Sequence, residues 1–387
     1  MNNKASTPGP LAGVRVIDLS GVVVGPVATL LMGEQGAEII KVEPPGGDLM
    51  RKLGGRGIEP AMAPKFLHLN RNKKSIQLDL KKADDKAILL NLIEGADVLV
   101  SNMRPRALDK LGLSWSDLSL RNPRLVHCTI TGFATGGPYE GTPAYDTIIQ
   151  GAAGVAACTN AAHGEPLFAP FVLADHVVGL IAAQAVTAAL FARSISGRGQ
   201  AVEVPMFENM AAFVLCEHLG QRTFGEGGAF GDPRILNPDA RPLKTQDGYI
   251  CVSANTDVQA RGFFSAIGRP ELADDARFIS VEARLENVNA YFEVRAQAVQ
   301  RRTTSEWLAL FAAHDVPAMQ VNLFEDLIAD PQLIASGTLV TEPGRAPMLG
   351  VRHANRYSHS GVPDAVFAPR LDQHGEEIRA ALKGKGG

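Results

Sequence analysis

The stretch VRVIDLSGVVVGPVATLLMGEQGAEIIKVE, residues 14–43, decides the fold. Residues 14–18 form a short apolar strand. Residues 26–35 carry helical patterning and open on Pro26, where a missing N–H costs nothing; Gly36 stops the helix, and residues 37–43 read as a second strand. This is a β-α-β unit, and the pattern continues. A strand at 75–80, a helix at 82–95, a strand at 97–101, short helices across 106–120 and a strand at 124–131 follow in order. Alternation of this kind predicts an α/β fold, a Rossmann-like parallel sheet with helices on both faces. The turn Gly21-Val-Val-Val-Gly25-Pro26 lacks the G-x-G-x-x-G that seats a pyrophosphate, and no G-x-x-x-x-G-K-[ST] occurs anywhere. Neither a nicotinamide cofactor nor a P-loop chemistry is indicated.

With 387 residues, 45% hydrophobic and 20% charged, the chain has the composition of a globular protein with room for two domains. Its net charge of −3 (38 basic against 41 acidic) points away from nucleic acid as a partner. Cys128, Cys158, Cys216 and Cys251 are scattered and show no zinc-site spacing, so no metal and a reduced, cytoplasmic setting are expected. The first ten residues carry no apolar signal region. The longest uncharged run, 177–192, falls short of the ~20 residues that cross a bilayer and is read as a buried helix, so no membrane partner is expected.

Past that helix, Ser194-Ile-Ser-Gly-Arg-Gly-Gln200 turns into a strand at 201–205 and a helix at 207–220. The run Phe224-Gly-Glu-Gly-Gly-Ala-Phe-Gly231 then suits either a linker between domains or an active-site loop. A second domain has a strand at 249–253 and a helix opened by the capping box Thr303-Thr-Ser-Glu306. The expected organisation is residues 1–220 as the N-terminal part of a large domain, 221–241 as a glycine-rich linker, 242–322 as a smaller α+β domain, and 323–387 returning to the large domain.

The chemistry is expected at Asp175, in Ala169-Pro-Phe-Val-Leu-Ala-Asp175-His-Val-Val-Gly179, where a carboxylate stands at the start of the long apolar helix. One reading makes it an N-cap accepting first-turn N–H groups; the other makes it a nucleophile. The two are compatible, because a carboxylate held by helix N–H groups and the dipole stays ionised.

Taken together, several segments resemble the class III CoA-transferases, the family of formyl-CoA transferase and carnitine CoA-transferase. They are Leu11-Ala-Gly-Val-Arg-Val-Ile-Asp-Leu-Ser20, Gly25-Pro26, Gly36-Ala-Glu-Ile-Ile-Lys-Val-Glu-Pro-Pro45, Gly47-Asp48, Leu69-Asn-Arg-Asn-Lys-Lys-Ser-Ile-Gln-Leu-Asp-Leu80, Asp97-Val-Leu-Val-Ser-Asn102, Lys110-Leu-Gly-Leu113, Asn122-Pro-Arg-Leu-Val126, Gly197-Arg-Gly-Gln200 and Asp247-Gly-Tyr-Ile250. The resemblance implies a nucleophilic Asp about thirty residues after a Tyr/His-acid pair, here Tyr145-Asp146 and Asp175. It implies acyl transfer through an aspartyl mixed anhydride and an aspartyl-CoA thioester, covered by a glycine-rich loop that includes Gly227 and Gly228. Glu226 interrupts that loop's glycines. CoA or acyl-CoA is then the substrate held by Val22, Val23, Leu78, Lys81, Asn102, Met103, Lys110 and Leu111, with Met206, Arg104 and Arg106 as further candidates.

Two positions depart from the pattern: Arg106 stands where many relatives have Gly, and Val23 where formyl-CoA transferases carry Gln. The nearest rival reading is an α-methylacyl-CoA racemase, which pairs an Asp with a His at the position of Tyr145; a Tyr with a pKa near ~10 is a poor base there. Intramolecular CoA transfer and a non-catalytic CoA-binding role are further alternatives. The family's architecture implies two ring-shaped chains interlocked as a homodimer.

Overall fold

In the computed structural model, residues 7–57, 59–341 and 348–384 are described. The chain forms two compact units, one of Met1–Ala153, Ala169–Ala212 and Pro331–Gly387, the other of Gly154–Phe168 and Phe213–Asp330.

The first unit is built on six parallel strands: β1 Arg15–Asp18, β2 Glu38–Glu43, β3 Lys73–Gln77, β4 Val98–Ser101, β5 Val126–Thr131 and β6 Gln200–Pro205. Their order is β3-β2-β1-β4-β5-β6. That order reverses between β1 and β4, and the crevice beyond the carboxyl ends of those two strands is where open α/β sheets place ligands. The central strands read as apolar runs because both faces are covered. One face is packed by helix α1 (Val24–Glu34) and by the later helix Leu173–Ser196, the other by α2 (Ala83–Glu94), the short helices Pro105–Leu111 and Trp115–Arg121, and the C-terminal helix Gly375–Lys383. Helix α3 (Asp146–Ala152) precedes α4 (Leu173–Ser196), and β6 runs directly into α5 (Met206–His218).

Two glycines fix the close approaches on the α1 side. A Cβ on Gly179 of α4 would sit 2.7 Å from Val27 Cγ1 and 2.8 Å from the Val24 carbonyl, and one on Gly25 would sit 2.2 Å from Ser20 Cβ. Only glycine permits α4 to lie this near α1. The sequence reading of 177–192 as a buried helix needs refinement. The helix is 24 residues long and buries one face, through Val178, Ala182, Val186 and Ala189, while Leu180, Phe191 and Ile195 are exposed. Among the described residues it is the one helix long and apolar enough by composition to cross a bilayer, so the length argument against a span does not hold. Its buried stripe against α1 is the pattern of a core helix.

Charged side chains are buried beneath the crevice, and each is matched. Asp18 accepts from Thr29 Oγ1 at 2.8 Å, Ser20 N at 3.0 Å and Lys73 Nζ at 3.0 Å. Lys41 Nζ reaches the Ser20 carbonyl and Asp48 Oδ2, both at 2.9 Å. Burial works against ionisation of Asp18, but the Lys73 and Lys41 ammoniums and the two hydroxyls hold it well below the ordinary carboxylate range. Burial draws Lys73 down to about 8 against the pull of Asp18. Glu43 and Arg51 form a two-pronged pair at 2.7 Å for each contact, fully enclosed.

The edge of the sheet at β3 is closed by the C-terminal segment. Gln77 N donates to Asp372 Oδ1 at 2.8 Å, Asn72 N to the Val366 carbonyl at 2.8 Å, Ser75 N to His374 Nδ1 at 3.2 Å, and His374 N to the Ser75 carbonyl at 3.0 Å.

The second unit has a three-stranded antiparallel sheet, β7 Leu243–Lys244, β8 Tyr249–Val252 and β9 Ala318–Gln320, with helices α6 Asp257–Ala266, α7 Val288–Val299 and α8 Thr304–Ala313. Its core is aromatic: Phe263, Phe264, Phe278, Tyr291, Phe292, Trp307 and Phe311 are all buried together. The capping box at Thr303 and Glu306 is present as the sequence predicts, and a second one, Thr256 with Gln259, opens α6.

Candidate active site

Asp175 is the third residue of α4 and is 8% exposed. It does not cap its helix. Asp146, at the start of α3, performs that task from outside: its Oδ1 accepts from Ala174 N at 2.8 Å and Asp175 N at 3.2 Å. Its Oδ2 accepts from Gln150 Nε2 at 2.7 Å, and Gln150 in turn holds Ala169 N and the Phe171 carbonyl. The first turn of α4 is therefore satisfied by Asp146, and the Asp175 carboxylate takes part in no hydrogen bond among the described residues.

The consequence is a pKa shift opposite in direction to the one expected of a capped carboxylate. Burial first, and then the charge of Asp146, push the Asp175 carboxyl up to about 7, with Lys65 pulling weakly the other way. A capped carboxylate would have been driven in the opposite direction. His176 beside it is drawn below its ordinary value by burial and by Lys65, so it stands neutral at pH 7. What results is a buried, unbonded carboxyl whose pKa is raised to about 7 by burial and a neighbouring charge, a kind of perturbation that clusters at functional sites.

Asp175 opens into a cavity of about 290 Å³ that also takes in Tyr145, Met206, Val22, Val23, Asn102, Met103 and Arg104. Tyr145 stands at the start of α3 and is 66% exposed. A second cavity, of about 760 Å³, shares Gly21, Val22, Asn102 and Met103 with the first and adds Leu78, Lys81 and Leu111. A third, of about 290 Å³, meets the first at Arg104 and brings Arg106 and Lys110 together. The second and third each adjoin the first, which lies at the β1/β4 switch point. All of the sequence-derived site residues except Gly227 and Gly228 line one or another of them. Gly227 and Gly228 belong to the second unit, in the turn after Gly220–Phe224, and line none of the three.

The wall shared by the first two cavities is held rigidly. Gly21 N donates to Asn102 Oδ1 at 3.0 Å, Asn102 Nδ2 returns a bond to the Gly21 carbonyl at 2.8 Å, and Asp48 Oδ1 accepts from Val22 N at 3.2 Å. Val22 has φ of +67°, a left-handed conformation that a β-branched residue adopts only under constraint. Sequence reasoning found Asn102 and Val22 but missed Asp48 as the acceptor that holds this turn, and Asp146 as the group that accepts the first-turn N–H groups of α4 and adds to the raised pKa of Asp175.

The role of Asp146 carries a direct expectation. In Asp146→Asn the amide oxygen can still accept from Ala174 and Asp175, but the neighbouring charge is gone. The apparent pKa of Asp175, read from the pH dependence of its reaction, is expected to move to lower pH by about one unit, since one unit is ~1.4 kcal/mol of differential interaction. An unchanged profile would show that Asp146 acts on the backbone alone.

The model of CoA-transferase family III matches residues 11–375 of this chain. The chain is similar to the succinate–glutarate CoA-transferase of Agrobacterium fabrum, with 30% identity over 99% of this chain and 98% of that protein. It is 32% identical to the acetyl-CoA:oxalate CoA-transferase of Acetobacter aceti, over 97% of this chain and 96% of that protein. Among solved structures, a CAIB/BAIF family protein from Brucella suis superposes with a TM-score of 0.81 at 31% identity, covering 97% of this chain and all of that one.

Proposed function

This chain belongs to CoA-transferase family III, and on that footing we propose that it moves CoA from an acyl-CoA donor to a small carboxylic acid, with Asp175 as the covalent carrier. The observation that carries the reading is the Asp175 carboxyl itself: buried, free of hydrogen bonds, and open to a cavity that continues into a groove of about 760 Å³. Its ionised form attacks the thioester carbonyl of the donor, forming a mixed anhydride and releasing the CoA thiolate. The thiolate attacks the aspartyl carbonyl, which frees the donor acid and leaves an aspartyl-CoA thioester. An acceptor carboxylate then reverses both steps and departs as the new acyl-CoA, with Asp175 restored. The elevated pKa serves this sequence, since a more basic carboxylate is the stronger nucleophile once ionised. Leu78, Leu111 and Met103 offer apolar contact to the carrier, and Lys81, Arg104, Arg106 and Lys110 offer cations to its phosphates.

A carboxyl that titrates near 7 also suits proton transfer, so a racemase-type reaction at the α-carbon of an acyl-CoA is the second reading. Intact-protein mass spectrometry separates the two. After mixing with a panel of acyl-CoAs and quenching with hydroxylamine, transfer leaves a hydroxamate on Asp175. No adduct with any donor, together with exchange of the α-proton into deuterated solvent, would replace the transferase reading with the racemase one. The proposal extends to a cytoplasmic setting, supported by four unpaired cysteines, and to a homodimer, supported by exposed apolar residues such as Phe191 and Ile195 on α4.

A further inference from the structure

A cavity of about 430 Å³ lies wholly within the second unit and belongs to none of the chemistry above. Four arginines line it, Arg234, Arg241, Arg284 and Arg295, against a single acid, Asp239. Their surroundings differ. Arg241 is paired with Asp239 at 2.9 Å and Arg284 with Asp257 at 2.9 Å, while Arg234 reaches Asp232 only at 3.9 Å. Arg295 has no acidic partner among the described residues. Its guanidinium donates to the Val252 carbonyl and lies over the rings of Tyr291 and Phe292, at 5.6 and 5.1 Å from their centroids, and its Nε is buried with no acceptor. Burial holds its pKa below the usual arginine value, in keeping with a cation partly withdrawn from water and lacking an acidic partner.

Three of the four guanidiniums have a carboxylate partner, so Arg295, half-buried and without one, leaves a positive charge at the cavity wall that packing alone does not explain. The aromatic floor fixes Arg295 in place, which reduces the ordering cost of recruiting an anion. We propose that this cavity is an anion-binding site for a small organic or inorganic anion bearing a carboxylate or phosphate, with Arg295 and Arg241 as its principal contacts. The site is defined by second-unit residues alone, so it stands or falls independently of the Asp175 reading.

Cys251 lines the same cavity, is exposed and is unpaired, which supplies a reporter. The full-length protein is alkylated with anionic iodoacetate and with neutral iodoacetamide, and the rates at Cys251 and at the exposed Cys216 are followed by peptide mass spectrometry. The iodoacetate-to-iodoacetamide rate ratio at Cys251 is expected to exceed that at Cys216 by about threefold to tenfold, as a positive cleft concentrates anions. Arg241→Gln, a substitution at an exposed side chain, is expected to lower the Cys251 ratio and leave the Cys216 ratio unchanged; Arg295→Lys tests the stacked position while keeping its charge. Inorganic phosphate and malonate are then titrated as protectants. Protection by phosphate alone, by malonate alone or by both supports the site and assigns its anion. Equal ratios at the two cysteines, or no slowing of Cys251 by either protectant, would overturn it.

Discussion

Asp175→Ala is expected to lower the rate of CoA exchange between an acyl-CoA and a carboxylic acid by roughly 10³-fold or more, the scale on which enzymes lose a covalent nucleophile. The loss should appear in kcat, with binding of free CoA by the switch-point cavities retained. Asp175→Asn should be equally inactive, because an amide has no ionised form to attack with, and transfer above a tenth of the parent rate in either variant would remove Asp175 from the mechanism. In the parent protein, kcat/KM should rise tenfold per pH unit on the acid side and level off above about pH 7, following the ionised fraction of a carboxyl held there by burial and Asp146. The same group acts on stability with a definite sign. A carboxyl whose folded pKa lies above its unfolded value favours the folded state at low pH, and that advantage is lost as pH rises from about 4 to about 7. Asp175→Asn is therefore expected to unfold at a higher temperature than the parent at pH 8, by a margin worth about 1–4 kcal/mol, and to show no such margin at pH 3.5. Activity and stability move in opposite directions at this one residue.

Arg51→Ala is expected to be the most damaging change to the fold itself. Arg51 is 1% exposed and joins three parts of the first unit: it grips Glu43 at the end of β2 with two bonds of 2.7 Å, donates to the Ala61 and Pro369 carbonyls at 3.2 and 3.1 Å, and lies 3.9 Å above the Phe66 ring. Removing it leaves Glu43 in an enclosed site. Burial already opposes the ionisation of Glu43, and the Arg51 hydrogen bonds are the foremost groups holding its pKa down. Breaking one partner out of such a pair costs about 3–5 kcal/mol, which in a protein of this size lowers the melting temperature by ~10 °C. Arg51→Met keeps most of the volume and the contact with Phe66, so it should recover only part of the loss. A fall of less than 1 kcal/mol in the alanine variant would show that Glu43 finds other partners.

The strands at the centre of the sheet were legible because burial on both faces forces long apolar runs, and the order of elements followed from their alternation. β3 was less so. The sequence reading places it at 75–80, whereas it spans Lys73–Gln77. Lys73 is fully buried against Asp18, and nothing local in Asn72-Lys73-Lys74 announces that pairing across 55 positions. The C-terminal end of α4 differs for a related reason: the sequence places it near Arg193, yet Arg193 lies inside the helix, paired to Asp97 at 2.8 Å. At the site, the place of Asp175 at the start of the long apolar helix is legible in the sequence, but the direction of its pKa shift is not. Its pKa is raised first by burial and then by Asp146, which takes over the helix N–H groups from 29 positions away, tertiary facts that no spacing encodes.

The covering of β3 by the C-terminal segment also sets a timetable for synthesis. Ser75 and the His374 that meets it are 299 positions apart, so a ribosome adding about 5–20 residues per second exposes the bare strand for roughly 15–60 s before its cover exists. Through that interval the nascent chain presents a row of unanswered N–H and C=O groups that any passing strand can join. A chain stopped short of Val366 would keep that liability for its lifetime.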